Sequence, residues 1–595
     1  MRHPRFILVS LALALLAPLA ASAAAPAPAV TSITWHAWSP EIFAQARREN
    51  KFILLDLEAV WCHWCHVMAE TTYPDAEVVR LMQSRYLAVR VDQDSRPDLS
   101  NRYEDYGWPA TVIFAPDGSE LVKRQGYIPP KPMAALLQAV IDDPTPGPSV
   151  RPEVTVAAAT VTELGDARTA ELLRTWNDGY DEKGGGWGFG HKFLDWDSVE
   201  LALHRSVTDA RAAQRARDSL RLQRKLIDPV WGGVYQYSVG GDWNEPHFEK
   251  IMQMQAENLR IYAQAYARWH DPADLASARD IYRYLRTFLT SPEGVVYTSQ
   301  DADLVPGEHS ADYYALDDAG RRARGIPRID THVYARENGW VIVALCQLSA
   351  VTGDVSYRDE AVRAARWVLA HRALPGGGFR HDEKDAAGPY LGDTLAMGRA
   401  FLALHQLTQD HEWLDHSIAA AQFIATHFAR GADAGFASSD TTVQSFPAPR
   451  PQFDENVTLV RWATLLAATS GRTEFRALAA TGLRWLLAPA AIDGRSFYVA
   501  GLLQAEAEAR TDPVHVAIVG PKDDPAAQAM FTAALRLPDS YKLVEWWDRR
   551  EGAPPRGEDI YPQLERSAAF LCANGACSSP ILSESALSAR LAKVK

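Results

Sequence analysis

A glycine-aromatic cluster recurs six times between residues 166 and 510, and this repeat constrains the fold more than any other feature of the chain. The clusters are Gly184-Gly-Gly-Trp-Gly-Phe-Gly190, Gly232-Gly-Val-Tyr235, Gly294-Val-Val-Tyr297, Gly376-Gly-Gly-Phe379, Gly435-Phe436 and Gly494-Arg-Ser-Phe497. Two amphipathic helical patterns separate successive clusters, which predicts about twelve helices. The alternate connections are tight: Asp271-Pro-Ala-Asp274, Thr352-Gly-Asp-Val355, Gln409-Asp-His-Glu412 and Ser470-Gly-Arg-Thr473. Long loops after one helix of each pair and short turns after the other put every long loop at one end. A hairpin repeat buries its apolar face only against its neighbours. Residues 153–510 are therefore expected to close into an (α/α)6 toroid, with an open helical solenoid as the alternative.

The chain ahead of the repeat has another character. Phe52-Ile-Leu-Leu-Asp-Leu-Glu is a strand-like run that leads into Trp61-Cys-His-Trp-Cys-His66 and then a helical pattern. A C-x-x-C pair at a strand-to-helix junction suits thiol–disulfide exchange, because the helix N-terminus lowers the pKa of the first thiol and the second resolves a mixed disulfide. A structural disulfide or a metal site through Cys62, His63, Cys65 and His66 are the other readings. Adjacent Cys62 and His63 would not both close one tetrahedron with the other two, and no metal is expected. Asp56 stands inside the apolar run, where a buried carboxylate could take the proton of Cys65. Trp108-Pro109 precedes the apolar run Ala110-Thr-Val-Ile-Phe-Ala115, a place for a cis bond. Asp117-Gly118 marks a hairpin turn into the next strand.

That order of elements resembles thioredoxin. The resemblance implies that Cys62 is the exposed nucleophile, Cys65 the resolving thiol, Asp56 the buried proton acceptor and Pro109 the cis-proline beside the sulfurs. Trp61 and Trp108 would form with Pro109 an apolar lip for a protein partner, and no cofactor is needed.

Arg2 and Arg5, the apolar run Phe6 to Leu19, and Ala21-Ser-Ala23 read as a secretory signal over residues 1–23. An exported chain is expected, periplasmic in a Gram-negative source, with no stable membrane span. Residues 31–143 are expected to form the thioredoxin-like domain. Pro144-Thr-Pro-Gly-Pro-Ser-Val-Arg-Pro152 follows as a linker, and residues 511–595 as a small α/β cap. With 61 basic and 74 acidic residues, a net charge of −13 and no basic stripe, the chain is not built for nucleic acid. Its five cysteines are too few for a disulfide scaffold. Cys346 suits a buried helix, and Cys572 with Cys577 forms a second candidate dithiol, either a structural disulfide or a redox relay.

The polar residues of the toroid loops are the remaining candidates. Pro246 suits the first helical position, which would set His247 and Glu249 in a helix's first turn, where the dipole favours a neutral His247 as general base and an ionised Glu249. His191 lies in another glycine-rich loop, and Asp301 and Asp303 offer an acid/base pair or acceptors for sugar hydroxyls. Each could equally be a helix cap or a loop brace.

Over nearly its whole length past residue 23 the chain resembles the thioredoxin-domain proteins related to spermatogenesis-associated protein 20. The residues that carry this are Cys62-His-Trp-Cys-His-Val-Met68, Val91-Asp-Gln-Asp-Ser-Arg-Pro97, Gly107-Trp-Pro-Ala-Thr-Val112, Gly185 to Phe193, Pro246-His-Phe-Glu-Lys250, Ser299-Gln-Asp-Ala-Asp303 and the Cys572/Cys577 pair. The resemblance implies a thioredoxin-like domain fused to a toroid of the six-hairpin glycosidase and epimerase type. The first functional expectation is thiol–disulfide exchange with a protein partner. The second is a carbohydrate epimerase or hydrolase working in the toroid, and the third a non-catalytic binding module.

Overall fold

The computed structural model describes residue 1, residues 32–150 and residues 156–594, apart from 386, 432–433, 443–445, 447, 553–560 and 574–575. Residues 2–23 of the expected secretory signal and the last two linker positions, 151 and 152, lie outside the described residues.

Strands β1 (Trp35–His36), β2 (Phe52–Glu58), β3 (Tyr86–Asp92), β4 (Ala110–Phe114) and β5 (Glu120–Gln125) form one sheet in the order β1-β3-β2-β4-β5. β2 runs parallel to β3 and antiparallel to β4, with Leu55 opposite Val89 on one side and Val112 on the other. Helices cover both faces, which is why β2 is a continuous apolar run instead of an alternating one. Ile53, Leu55 and Leu57 pack with Ile42, Phe43 and Leu99 on one face, while Phe52 and Leu54 pack with Met68 and Leu137 on the other. By this alternation Asp56 shares the face of the helix His63–Thr71, which carries Met68.

The helical region closes. Six inner helices, Trp196–Arg205, Met252–Trp269, Ala335–Thr352, Leu391–Thr408, Phe453–Ser470 and Ala500–Arg510, each pack on the next, and the last packs on the first. Six outer helices surround them. The first of these, Asp166–Asp178, packs on the last inner helix, so the two ends of the repeat seal the ring. A closed toroid, not an open solenoid, is the architecture. Four inner helices end in the same way, on a left-handed residue: His270, Gly353, Gln409 and Gly471 have φ between 54° and 75°. That shared cap turns the chain sharply into each outer helix. Closeness within the ring needs small residues, and a Cβ on Gly339 would lie 2.6 Å from the carbonyl carbon of Ala396 on the neighbouring inner helix.

The C-terminal cap is a four-stranded sheet of Val514–Val519, Lys542–Trp547, Ala568–Ala573 and Ala576–Cys577, with the helices Pro525–Leu535 and Glu584–Leu591. It is fixed to the toroid through Gln409, whose amide donates to the Val544 carbonyl at 3.0 Å and accepts from the Trp546 N–H at 2.9 Å. Cys346 is buried in an inner helix. Among the described residues no helix is long and apolar enough to cross a membrane.

One local expectation fails. Pro246 and His247 do not open a helix; they form a short strand against Tyr237–Ser238. Lys250–Ile251 then pairs with Ser299–Gln300, which pairs in turn with Ile329–Asp330, and the inner helix starts only at Met252. The strand ladder removes residues 246–251 from the helix that their sequence suggests.

Candidate active site where the dithiol meets the toroid

β2 ends at Glu58, and the chain turns so that Cys62 becomes the N-cap of the helix His63–Thr71. Cys62 and Cys65 form a disulfide, and Cys62 Sγ accepts a hydrogen bond from the Cys65 backbone N–H at 3.1 Å. The Trp108–Pro109 peptide bond is cis, and Trp108 packs on the cluster formed by Ala59, Trp61, Cys62 and Cys65.

The disulfide is not exposed. Cys62 and Cys65 are each 3% exposed, because the toroid covers them. Ile251 packs on the same cluster, and the Ala302 N–H donates to the Trp61 carbonyl at 3.4 Å. Trp61 also departs from the expected role of a docking lip: it is buried, and its indole N–H donates to Asp94 Oδ2 at 2.7 Å. The aromatic that faces solvent is Trp64, stacked on Tyr127 with ring centres 5.7 Å apart.

Asp301 and Asp303 provide the rest of the cover. Asp303 Oδ1 accepts from His63 Nδ1 at 2.7 Å, and its Oδ2 accepts from His66 Nδ1 at 3.1 Å and from the Gly307 N–H at 2.9 Å. Burial alone would raise the Asp303 pKa, but these donors hold it at about 2. Asp301 lies 3.6 Å from the same His66 nitrogen, and burial pushes its carboxyl up to about 7. Burial disfavours a charged His66, yet the two aspartates and Glu58 outweigh it and raise the pKa. His66, Asp301 and Asp303 are the group of described residues whose ligand atoms, within 4.8 Å of one another, are placed to hold a metal ion. The imidazole hydrogen bonds already account for the Asp303 carboxylate.

A second contact lies on the other side of Trp61. His381 of the toroid sets Nδ1 2.9 Å from Asp393 Oδ1 and Nε2 2.7 Å from the Asp94 carbonyl. Both partners only accept, so both ring nitrogens must donate and His381 is an imidazolium. Its raised pKa agrees: burial opposes the charge, and Asp393 overrides it.

Asp56 is fully buried, and burial raises its pKa against the Arg90 guanidinium, whose Nε donates to it at 3.0 Å. Arg90 also reaches Glu58 at 3.2 Å. Burial and the neighbouring Asp56 push Glu58 up to about 7. Glu58, Asp94 and His381 are the residues that sequence reasoning did not place in this site, and His63 and His66 it weighed only as metal ligands. The spacing of C-H-x-C-H put both histidines beside the sulfurs, but nothing local indicated that the toroid would supply their partners.

The remaining toroid candidates stand apart from the central cavity. His191 is exposed beside Tyr237, at 5.0 Å between rings, and His247 stacks on the same tyrosine at 4.3 Å. Glu249 is buried 3.9 Å from His247, and its Oε2 has no hydrogen-bond partner among the described residues. None of His191, His247, Glu249, Asp301 and Asp303 lines the axial cavity, which inner-helix side chains enclose. The loops stand on the rim, where the short strand ladder and the thioredoxin domain take them up. Cys572 and Cys577 form a disulfide between paired strands, with Cys577 exposed.

Comparison with known proteins bears on this site. A family model described as Thioredox_DsbH, protein of unknown function, DUF255, matches residues 21–141. Spermatogenesis-associated protein 20 of Mus musculus is 28% identical over 412 residues, covering 63% of this chain and 49% of its own. Thioredoxin of Mycoplasmoides gallisepticum is 35% identical over 89 residues, which are 15% of this chain and 84% of that protein. Through its N-terminal region the chain belongs among the thioredoxin-like proteins, and over most of its length it is similar to spermatogenesis-associated protein 20. It spans about half the length of the mouse relative. Among solved structures, a D-mannose isomerase matches with a TM-score of 0.45 and 11% identity, over 58% of this chain and 96% of that one. The chain's own helix packing and sheet order make it a thioredoxin-like domain docked on the rim of a six-hairpin toroid.

Proposed function

We propose that the chain is an exported thiol–disulfide exchange protein whose dithiol is held shut by its own toroid. The observation that carries this reading is the Cys62–Cys65 disulfide at a helix N-terminus, against Trp108 of the cis Trp108–Pro109 pair. In the reduced protein the Cys62 thiolate attacks one sulfur of a substrate disulfide, forms a mixed disulfide and releases the other substrate thiolate. Cys65 then loses its proton, attacks Cys62 Sγ and expels the second substrate thiolate. The substrate is reduced and the Cys62–Cys65 disulfide re-forms, so an external thiol donor must regenerate the dithiol. Asp56, or Glu58 with its carboxyl near neutrality, is the acceptor for the Cys65 proton. Export over residues 1–23 places this chemistry in a compartment where disulfides persist.

The test is a redox titration of the full chain in glutathione or dithiothreitol buffers, with thiols trapped by alkylation and each cysteine read by mass spectrometry. A Cys62–Cys65 couple between about −120 and −270 mV is expected, the range of exchange catalysts. A couple below about −300 mV marks a structural disulfide and overturns the reading. A C65S chain is expected to accumulate a mixed disulfide on Cys62.

A further inference from the structure

A cavity of about 500 Å³ lies on the axis of the toroid, within the range of small-molecule sites. The thioredoxin domain roofs it: Asn101 donates to Glu455 at 3.1 Å, and Gln452 donates to Glu104 at 3.1 Å. Ser540 and Lys542 of the C-terminal cap line it from their side.

The arginines lining the cavity have partners, with one exception. Arg260 meets Glu200 at 3.0 Å and Glu257 at 2.7 Å, and Arg461 meets Glu200 at 3.0 Å and Glu508 at 2.8 Å. Arg336 is held by Glu337 at 2.7 Å and Arg495 by Asp454 at 2.7 Å. Arg399, on the inner helix Leu391–Thr408, lines the same cavity and has no hydrogen-bond or ion-pair partner among the described residues. Burial pushes its pKa down, and the attraction of Glu257 does not restore it. Arg399 is part-buried, and its guanidinium, without an acceptor, leaves its donors free toward the cavity. The amides of Gln253 and Gln347 line the cavity and also lack partners among the described residues, and the rings of Trp340 and Tyr498 add apolar surface.

We infer that Arg399 is the anion-binding residue of a ligand site in this cavity, and that the ligand is a small polyol bearing a carboxylate or a phosphate. The planar fork of Arg399 matches either group through two parallel hydrogen bonds. Gln253 and Gln347 offer donors and acceptors for hydroxyls, and the aromatic rings flank the carbon skeleton. An uncharged sugar would leave the Arg399 fork without a bidentate acceptor, and a folded polypeptide exceeds a cavity of this size. The inference stands apart from thiol exchange, since it concerns a different ligand and a different readout.

Thermal unfolding and calorimetric titration of the full chain with D-glucuronate, D-glucose 6-phosphate, inorganic phosphate and D-glucose test it. One or both sugar anions are expected to raise the Tm and bind, and which of them does so identifies the anionic group. D-glucose alone is expected to give no shift. R399M is expected to lose anion binding at least tenfold while unfolding, without ligand, at the same or a higher temperature than the parent. R399K is expected to retain weakened binding. If neither sugar anion binds, if D-glucose binds equally well, or if inorganic phosphate alone gives the full effect, the inference fails. A marked fall in the ligand-free Tm of R399M also overturns it, because Arg399 would then be structural.

Discussion

His63 Nδ1, in the first turn of the dithiol helix, donates to Asp303 Oδ1 of the toroid across 2.7 Å. Residues 240 positions apart thus share one hydrogen bond, and the same carboxylate holds His66. The Asp303 loop is the element that closes the dithiol off. Under the proposed exchange reaction a substrate must reach this face, so the toroid would compete with it for the same surface.

Loss of the Asp303 carboxylate should open the site. D303N removes the charge that both imidazoles bind and weakens docking by about 2 kcal/mol, or about thirtyfold in the undocked population. Reduction of Cys62–Cys65 by a phosphine reductant is expected to accelerate by a similar factor, followed by alkylation and mass spectrometry. An unchanged rate would show that this loop does not control access.

Docking should weaken as pH rises. The folded-state pKa of His66 is raised, so its contribution is complete below its unfolded value of about 6.5 and is lost as pH climbs through the higher folded value. Asp301 adds to the same trend. Burial raises its carboxyl to about 7, so the folded state holds a proton that the unfolded chain releases near pH 4. Between about pH 4 and 7 that group also makes docking less favourable with each rise in pH. Hydrogen exchange of amides 299–307, corrected for intrinsic rates, is expected to lose protection from pH 5.5 to 8.5. H66Q should give low protection with a flatter profile.

Most of the architecture was legible in the sequence because it rests on period and punctuation. Six glycine-aromatic clusters and four tight turns mark twelve helices, and the left-handed caps at His270, Gly353, Gln409 and Gly471 are those turns. Trp61-Cys-x-x-Cys65 likewise marks a strand-to-helix junction by local pattern alone. The environment of the site was not legible, because burial of Cys62 and Trp61 comes from Ile251 and Ala302, far away in the chain. His247 shows the opposite failure. Its local helix-start signal was overruled by a strand pairing with Tyr237 that no sequence window contains.

The proton acceptor can be assigned by comparing Asp56 with Glu58. Both have raised pKa values from burial, and Arg90 contacts both. If Asp56 deprotonates Cys65, D56N should slow the resolving step of a preformed Cys62 mixed disulfide by about 100-fold near pH 7, the usual scale of general base catalysis. E58Q should then slow it severalfold at most. Stopped-flow release of a chromophoric thiol measures both. The reverse ranking would give the role to Glu58, whose carboxyl burial and Asp56 hold up to about 7.

The toroid has its own test, at Gly339. This residue sits inside the inner helix Ala335–Thr352, where a Cβ would stand 2.6 Å from the Ala396 carbonyl carbon and 2.7 Å from the Ala396 Cβ. Backbone cannot move aside as a flexible side chain can, so the two inner helices must separate. G339A is expected to lower stability by about 1–3 kcal/mol, the usual range for overpacking, although alanine is the better helix former in isolation. Differential scanning calorimetry should show the toroid transition shifted down. The redox potential of Cys62–Cys65 should stay within about 10 mV of the parent, because the disulfide's own contacts are with Trp108 and Ile251. A potential that moved with the toroid transition would mean that ring packing is transmitted to the sulfurs through the His66–Asp303 contact.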